Sequence, residues 1–412
     1  MTLPARIPFY AIQCLPRTRF AWFLFGALAL ALLGCGPVQT VGSINSTRHP
    51  PTLPPTSVVG TAISVMQVGD ETLLTTWRGN AIDLTILRRD RKQQVVLPVH
   101  EFCTSAGYLV RLPPVIGVTG CGSVWIDHAS HWLHVVLPTR LSTGESVTGR
   151  GSQWWTVGIV GTASGMGSEA VKVWTTTTLG ASWDLGAQSH NALSSRPRGS
   201  IPYFGDKSGI EAGPGHHLWL SGSGGGGFWM YRSAAGLQTW TAVTAQSPKP
   251  GPNSWVTGSD ALVETSPPLF TSRTEGYIPA TVFGPQDRLA IFAVTGPTWR
   301  IAQLRGLLPL APQSVWSLAA SGSHTLWVAA SRRLYRSASG GRTWQVAGSI
   351  PYPWTFLAIS FSGSYGSVLA ILPPGAHHPG HYALWRTTTD GKTWRAVRVS
   401  RRNASSDRDT TP

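Results

Sequence analysis

The stretch from Leu334 to Trp344, LYRSASGGRTW, recurs along this chain. Met230 to Trp240 reads MYRSAAGLQTW, Leu384 to Trp394 reads LWRTTTDGKTW, and Val173 to Trp183 reads VWTTTTLGASW. In all four copies an aromatic residue lies nine positions before the tryptophan, and Ser or Thr directly precedes it. A shortened fifth copy, IFAVTGPTW, runs from Ile291 to Trp299. Repetition over tens of residues indicates an array of similar supersecondary units.

Each copy has the composition of a tight β-hairpin. In the copy ending at Trp344, strand-forming aromatic residues flank a turn of small residues from Ser337 to Gly341. Glycine accepts positive φ, and serine or threonine side chains bond to nearby backbone amides. The turn therefore satisfies its own polar groups, and a hairpin is predicted.

The turn resembles the Asp-box of the BNR (bacterial neuraminidase) repeat, S/T-x-D-x-G-x-T/S-W, which joins the third and fourth strands of a β-propeller blade in that family. The aspartate is missing, and Ser339, Thr389, Thr178 and Ala235 take its place. A hydroxyl contributes roughly 1 kcal/mol where a carboxylate contributes roughly 1.5 to 3, so weakened turns are predicted. The expected structural turn residues are Thr176, Gly180, Trp183, Ser233, Trp240, Trp299, Ser337, Gly341, Trp344, Thr387, Gly391 and Trp394.

Composition agrees with the fold that this resemblance implies. Of 412 residues, 42% are hydrophobic, only 12% are charged, and 46 are glycine, which is typical of turn-rich all-β proteins. The predicted fold is an all-β propeller of four-stranded antiparallel blades with degenerate Asp-box hairpins. The box tryptophans are 57, 59, 45 and 50 residues apart, which favours seven blades within a range of six to eight.

Two blades can be predicted strand by strand. Short apolar runs separated by turn residues predict strands at 315–320, 325–330, 334–337 and 343–346, and again at 355–361, 368–372, 382–387 and 393–399. Propellers often close by pairing the two ends of the chain within one blade, which hides exposed edges. We therefore expect the strand near 63–68 to complete the blade that ends near Val399.

The N-terminus resembles the signal segment of a bacterial lipoprotein. Three arginines precede an apolar run from Ala21 to Gly34, and Leu32-Leu33-Gly34-Cys35 resembles a lipobox whose cysteine is lipidated. The alternative is an uncleaved signal anchor. The expected organisation is a signal peptide at 1–35, a Pro/Ser/Thr-rich tether at 36–57, a propeller at 58–399 and a polar tail at 400–412. The expected location is the extracytoplasmic face of a bacterial membrane.

The remaining cysteines fit an exported protein. Cys14 leaves with the signal and Cys35 takes the lipid, so Cys103 and Cys121 are left as a predicted disulfide or, alternatively, as a free pair. No metal site is expected, because His216, His217, His377, His378 and His381 lie beside Gly and Pro in loop-like sequence. No cofactor motif is present either, since Gly224 to Gly227 lacks the Lys-Ser/Thr of a phosphate-binding loop.

The formal net charge of +15 raises the question of an anionic partner. Basic residues are spread along the sequence, apart from Arg88, Arg89, Arg91 and Lys92 and a run from Arg395 to Arg402. No nucleic-acid-binding motif accompanies them, so no nucleic-acid partner is expected. Charged strand edges that discourage aggregation are the favoured interpretation.

Sialidase activity is the enzymatic function that the resemblance to the neuraminidase repeat suggests. It needs an arginine cluster, a Tyr–Glu nucleophile pair and an acid/base. Glu264, Arg273, Glu275 and Tyr277 are close in sequence, but a polar loop is the favoured interpretation. The Arg-Ile-Pro signature of that family occurs only at Arg6-Ile7-Pro8, inside the signal. No catalytic residue is therefore assigned.

The chain looks most like the non-enzymatic exported group of BNR-type propellers that includes photosystem II assembly factor-like proteins. That resemblance implies a monomeric binding or assembly scaffold. Its partner would be a protein or a cell-surface polymer, and a lipid would attach it to the membrane. The alternative is an extracellular glycoside hydrolase of sialidase or related type.

Overall fold

The computed structural model describes the propeller region with gaps. The described residues are 52–53, 58–78, 80–88, 91–99, 106–128, 131–138, 146–159, 170–189, 200–202, 205–225, 228–246, 262–283, 286–296, 299–311, 314–372, 380–397 and 399. The predicted signal segment, Cys35, Cys103 and the predicted C-terminal tail at 400–412 lie outside them. No helix in the described part is long and apolar enough to cross a membrane.

The described residues form 32 strands and two 3₁₀ turns, Pro214–His216 and Ala235–Leu237. The strands are β1 (Val58–Val59), β2 (Thr61–Val68), β3 (Glu71–Arg78), β4 (Ala81–Leu87), β5 (Lys92–Pro98), β6 (Leu109–Leu112), β7 (Val115–Thr119), β8 (Ser123–His128), β9 (His131–Val136), β10 (Ser146–Arg150), β11 (Gln153–Ile159), β12 (Val171–Thr176), β13 (Asp184–Ser189), β14 (Ser200–Ile201), β15 (Asp206–Ala212), β16 (Leu218–Gly225), β17 (Met230–Ser233), β18 (Trp240–Ala242), β19 (Thr244–Gln246), β20 (Leu262–Thr265), β21 (Leu269–Phe270), β22 (Glu275–Val282), β23 (Arg288–Thr295), β24 (Ile301–Pro309), β25 (Trp316–Ala320), β26 (Leu326–Ala330), β27 (Arg333–Ser337), β28 (Gln345–Ser349), β29 (Thr355–Ser362), β30 (Tyr365–Leu372), β31 (His381–Thr387) and β32 (Arg395–Val397).

Consecutive strands pair antiparallel into meanders, which we number as units 1 to 7 in chain order. The units are β2–β5, β6–β9, β10–β13, β15–β18, β20–β24, β25–β28 and β29–β32. Units 4 and 5 share one sheet because the end of β16 pairs with β20. Short parallel segments cover two outer edges, β14 on β13 and β19 on β24. The strands predicted for units 6 and 7 are confirmed. Most of their predicted ends lie within two residues of the observed ends.

The units close into a ring. Apolar clusters join each unit to the next, and the last of them joins unit 7 to unit 1 through Leu369 and Leu384 against Leu74 and Leu87. Because no meander buries both faces alone, these interfaces are the hydrophobic core. The prediction of an all-β propeller is confirmed. The count of seven blades stays a prediction, because units 4 and 5 share a sheet.

The predicted closure of the ring is wrong in detail. The strand at 61–68 does not complete the last unit but forms the inner strand of unit 1. Val58 and Val59 pair with Tyr382 and His381 instead, beside β32 on the same outer edge of β31. Gly60, at φ 145°, then turns the chain inward. Two residues are enough because β32 already covers most of that edge.

The folded region also begins earlier than predicted. Thr52 bridges Ser349 at the outer edge of unit 6, and Leu53 donates its amide to the Ser349 carbonyl at 2.8 Å. Leu53 is buried in the cluster between units 6 and 7. Two residues assigned to the tether therefore belong to the propeller.

In three copies the box Ser or Thr accepts hydrogen bonds from amides within its own turn. Ser337 Oγ accepts hydrogen bonds from the amides of Ser339 and Gly341 at 3.3 and 2.9 Å. Ser339 Oγ, at the aspartate position, accepts from the Thr343 amide at 3.0 Å. Equivalent bonds occur around Thr176 and Thr387. A hydroxyl therefore replaces the carboxylate as acceptor, although Ser233 instead accepts from the amide of Leu218.

The five box tryptophans occupy equivalent places, because each joins the apolar cluster shared with the preceding unit. The tryptophans and a partner in that unit are Trp183 with Val135, Trp240 with Trp155, Trp299 with Trp219, Trp344 with Ile291 and Trp394 with Trp327. The box glycine packs against the same neighbour: a Cβ on Gly341 would lie 3.0 Å from Ile291 Cβ. The repeat thus specifies both a hairpin and an interface.

Candidate functional site

The inner strands of the units line the ring axis and present unpaired edges to one another. Hydroxyl groups cover several of these edges by accepting hydrogen bonds from amides of the next inner strand. The pairs are Ser317 with Ile359, Ser360 with Gln67, Ser64 with Leu109 and Thr148 with Ala212. The axis is therefore polar, and hydroxyl groups help to join neighbouring units.

All inner strands run toward the face that carries the box turns. In each unit the antiparallel order places the turn after the first strand and the turn after the third strand on one side. Contacts confirm this, since the Gly340 amide donates to the His324 carbonyl at 2.8 Å and the Asp390 amide to the Ser364 carbonyl at 3.0 Å. We call this side the box face and the other side the opposite face.

Arg111 lies on the axis near the box face. It comes from β6, and its Nη2 donates to the carbonyls of Gln67 at 2.6 Å and Phe361 at 3.5 Å, on the inner strands of units 1 and 7. Arg111 is nevertheless exposed to solvent. Desolvation by the surrounding protein lowers its pKa, and the charge of Glu211 opposes this shift. Arg111 is therefore a solvent-exposed cation that is held by backbone carbonyls of two other units.

Glu211, from β15 of unit 4, faces Arg111. Burial raises the pKa of Glu211 to about 8, while a hydrogen bond from Thr148 and the charge of Arg111 lower it. Its carboxyl group is therefore largely protonated at neutral pH. Arg111 and a protonated Glu211 carboxyl group are both hydrogen-bond donors, so this axial site suits a ligand with acceptor oxygens.

The structure brings together only two of the four sialidase-type candidates. Tyr277 Oη lies 3.0 Å from Glu275 Oε1 and 3.0 Å from the Ser323 carbonyl, beside His324. Arg273 is exposed in the preceding turn, and Glu264 is buried on β20.

The Tyr277 cluster packs under the box turn of unit 6, because a Cβ on Gly340 would lie 2.7 Å from Tyr277 Oη. Burial and the bond to Glu275 raise the pKa of Tyr277, although Arg305 and Arg342 oppose the shift. A tyrosine that is harder to ionise is a poorer nucleophile. The cluster is therefore best explained as support for the turn.

The other candidates have structural explanations or lie outside the description. His217 contacts the Ser233 carbonyl and Arg232, and no group of three or more ligands suited to a metal occurs among the described residues. A Cβ on Gly224 would lie 2.7 Å from Trp229 Nε1, so this glycine makes room for an indole ring. Cys121 is disulfide-bonded; its predicted partner Cys103, together with Cys35, His377 and His378, lies outside the described residues.

Sequence reasoning missed the axial pair. Arg111 and Glu211 are 100 residues apart, so no local motif joins them. The available signal was weak: Glu211 is one of only 18 acidic residues in the chain, and nothing in the sequence distinguishes Arg111 from the other basic residues.

The chain is similar to several solved structures at low sequence identity. No family model and no curated protein matches the chain. A lectin from Burkholderia pseudomallei is 14% identical with a TM-score of 0.47, over 83% of this chain and 100% of the lectin. The α-L-arabinanase of Penicillium chrysogenum is 12% identical with a TM-score of 0.38, over 80% of this chain and 98% of the enzyme.

A third similar structure is the extracellular domain of a one-component system from B. thetaiotaomicron, at 11% identity and a TM-score of 0.45. The match covers 79% of this chain and spans 38% of the length of that protein. These structures are β-propellers and include both enzymes and non-enzymes. All three TM-scores are below 0.5, so the fold assignment rests on the strands and packing of this chain.

Proposed function

We propose that this chain is a lipid-anchored propeller that binds a protein or cell-surface polymer outside the cytoplasm and catalyses no reaction. The axial site carries this proposal. In the described part of this site, Arg111 interacts with one carboxyl group, that of Glu211. Most glycoside hydrolases need two carboxyl groups that flank the scissile bond. A single protonated carboxyl beside an arginine suits recognition of ligand oxygens better than hydrolysis.

The competing function is an extracellular glycoside hydrolase of sialidase or related type. The pairing of Tyr277 with Glu275 favours it, because a Tyr–Glu pair is the nucleophile of that chemistry. The raised pKa of Tyr277 and the separate position of Glu264 argue against it. Binding therefore remains the better-supported function.

Hydrolysis is tested with the full chain purified from membranes and a panel of aryl glycosides. We expect no turnover. Turnover that Glu275→Gln abolishes, and that the control Glu71→Gln leaves intact, would overturn the proposal. Glu71 suits the control because it pairs with Arg88 at 2.6 Å in unit 1, away from the Tyr277 cluster.

The anchor is tested by cell fractionation. Cys35→Ala removes the thiol that would carry the lipid, so the protein is expected to move from the membrane fraction to the soluble fraction. Membrane attachment that persists in this variant would support an uncleaved signal anchor instead.

A further inference from the structure

The repeat places basic side chains at fixed positions on the box face. The residue before the box Ser or Thr is an arginine in units 4, 6 and 7, namely Arg232, Arg336 and Arg386. The box turns of units 6 and 7 add Arg342 and Lys392, both exposed. Because equivalent repeat positions lie on one face, cations that are far apart in sequence gather on one surface.

The charges of the two faces differ. Among described side chains, the box face carries thirteen Lys and Arg residues against seven acidic residues, and the opposite face carries five against four; Arg305, in the middle of β24, is assigned to neither face. The box-face cations are Arg88, Arg91, Lys92, Arg111, Arg150, Arg232, Arg273, Arg300, Arg336, Arg342, Arg386, Lys392 and Arg395, and its acids are Asp70, Glu71, Asp127, Asp184, Glu211, Glu275 and Asp390. The opposite face has Lys172, Lys207, Arg288, Arg332 and Arg333 with Asp83, Asp206, Glu264 and Asp287. Cations that are dispersed along the sequence are therefore unevenly divided between the two faces of the folded molecule.

The shape of this basic surface favours a planar partner. Its described cations come from all seven units and are spread around the whole ring. A membrane surface contacts many such points at once, whereas a polymer strand needs a continuous track. Lysine and arginine near an anionic leaflet are attracted to its headgroups within about one Debye length.

The chain direction at Thr52 and Leu53 is compatible with an anchor on the same side. Thr52 bridges Ser349 in parallel with β28, which begins at the box turn of unit 6 and runs away from the box face. Thr52 and Leu53 therefore run away from the box face as well. The 17 residues from Cys35 to Thr52 extend at most about 60 Å. A lipid on Cys35 is thus compatible with a box face that lies on the membrane.

We infer that the box face contacts the anionic lipid headgroups of the membrane that holds the anchor, and that the opposite face points away from it. This inference rests on the proposed lipid anchor. It leaves the exposed Tyr352, beside Arg332 on the opposite face, available to a partner in the surrounding space.

Hydrogen–deuterium exchange on the full mature lipoprotein tests this orientation. The protein is reconstituted into vesicles of phosphatidylcholine alone or mixed with phosphatidylglycerol. Peptides over the box turns at 338–344 and 388–394 should exchange severalfold more slowly in the anionic vesicles, and high salt should remove this protection. The opposite-face turn at 331–332 should not change.

Charge-reversal variants provide the matched control. Arg342→Glu with Lys392→Glu should abolish the protection, whereas Arg332→Glu with Arg333→Glu on the opposite face should retain it. Equal protection of both faces, or binding to soluble heparin without protection on anionic vesicles, would overturn the inference. The lipid anchor is tested separately by cell fractionation. If the chain is not lipidated at Cys35, the Cys35→Ala variant stays in the membrane fraction.

Discussion

Glu211 shows how the ring changes the chemistry of one residue. Its ordinary pKa is 4.5, and burial in the fold raises it to about 8. Between these pH values the folded protein binds more protons than the unfolded chain, so the free energy of unfolding falls as pH rises through this window.

Glu211→Gln keeps the shape of the side chain and removes the titration. Between about pH 5 and about pH 9 the natural chain should lose on the order of 2 kcal/mol more stability than the variant, a figure reduced for partial solvent access. Urea unfolding followed by tryptophan fluorescence at both pH values measures the difference. Parallel pH profiles for the two proteins would show that Glu211 titrates normally.

The box glycine of unit 7 has two separate roles that substitution can distinguish. Gly391 has φ 73°, and a Cβ there would overlap the indole ring of Trp327 in unit 6. Gly363 has φ 59° with nothing within 4 Å of its Cβ position. Both positions therefore have a left-handed backbone, but only at Gly391 would a Cβ also collide with a neighbouring side chain.

Gly363→Ala should cost about 1 to 2 kcal/mol of unfolding free energy from backbone strain. Gly391→Ala should cost a further 1 to 3 kcal/mol or so, because the added methyl group must displace a packed ring. Thermal unfolding of both variants provides the comparison. Equal losses would mean that the box turn does not contact the preceding unit.

The box hairpin is the element that sequence predicts best, because its bonds are local. Ser337 and Ser339 bind amides two to four residues away, so the motif alone determines the turn. A substitution at the aspartate position of the box tests this directly. Ser339→Asp should raise the unfolding free energy by about 0.5 to 1.5 kcal/mol, since a carboxylate is a stronger acceptor for the Thr343 amide.

Ser339→Ala is the matched control and should lower stability by about 1 kcal/mol. Chemical denaturation measures both. A destabilising aspartate would show that the hydroxyl-based turn has a different geometry from the motif that it resembles.

Elements that depend on distant segments were predicted less well. The pairing of β16 with β20, and the parallel segments on β13 and β24, require residues that meet only after the ring has formed. The use of Val58 and Val59 for closure was missed for the same reason, since two residues carry no strand pattern of their own.

At the scale of the whole molecule, the ring creates properties that no segment has. It brings Arg111 to Glu211 across 100 residues of sequence and gathers arginines from successive repeats on one face. Repeat spacing predicted the architecture, because each box tryptophan must meet the preceding unit. The axial site and the charged face could not be predicted, because both depend on how the units are arranged around the axis.

The central claim is that the first and last units close one ring, and a cysteine pair tests it most directly. Val59 and His381 are opposite partners of β1 and β31. In Val59→Cys with His381→Cys, we expect a disulfide to form in the folded protein under mild oxidation, detected by intact mass, and to raise the midpoint of a single unfolding transition. Neither single variant should change that midpoint. Two cysteines that stay free until the protein unfolds would contradict a closed ring.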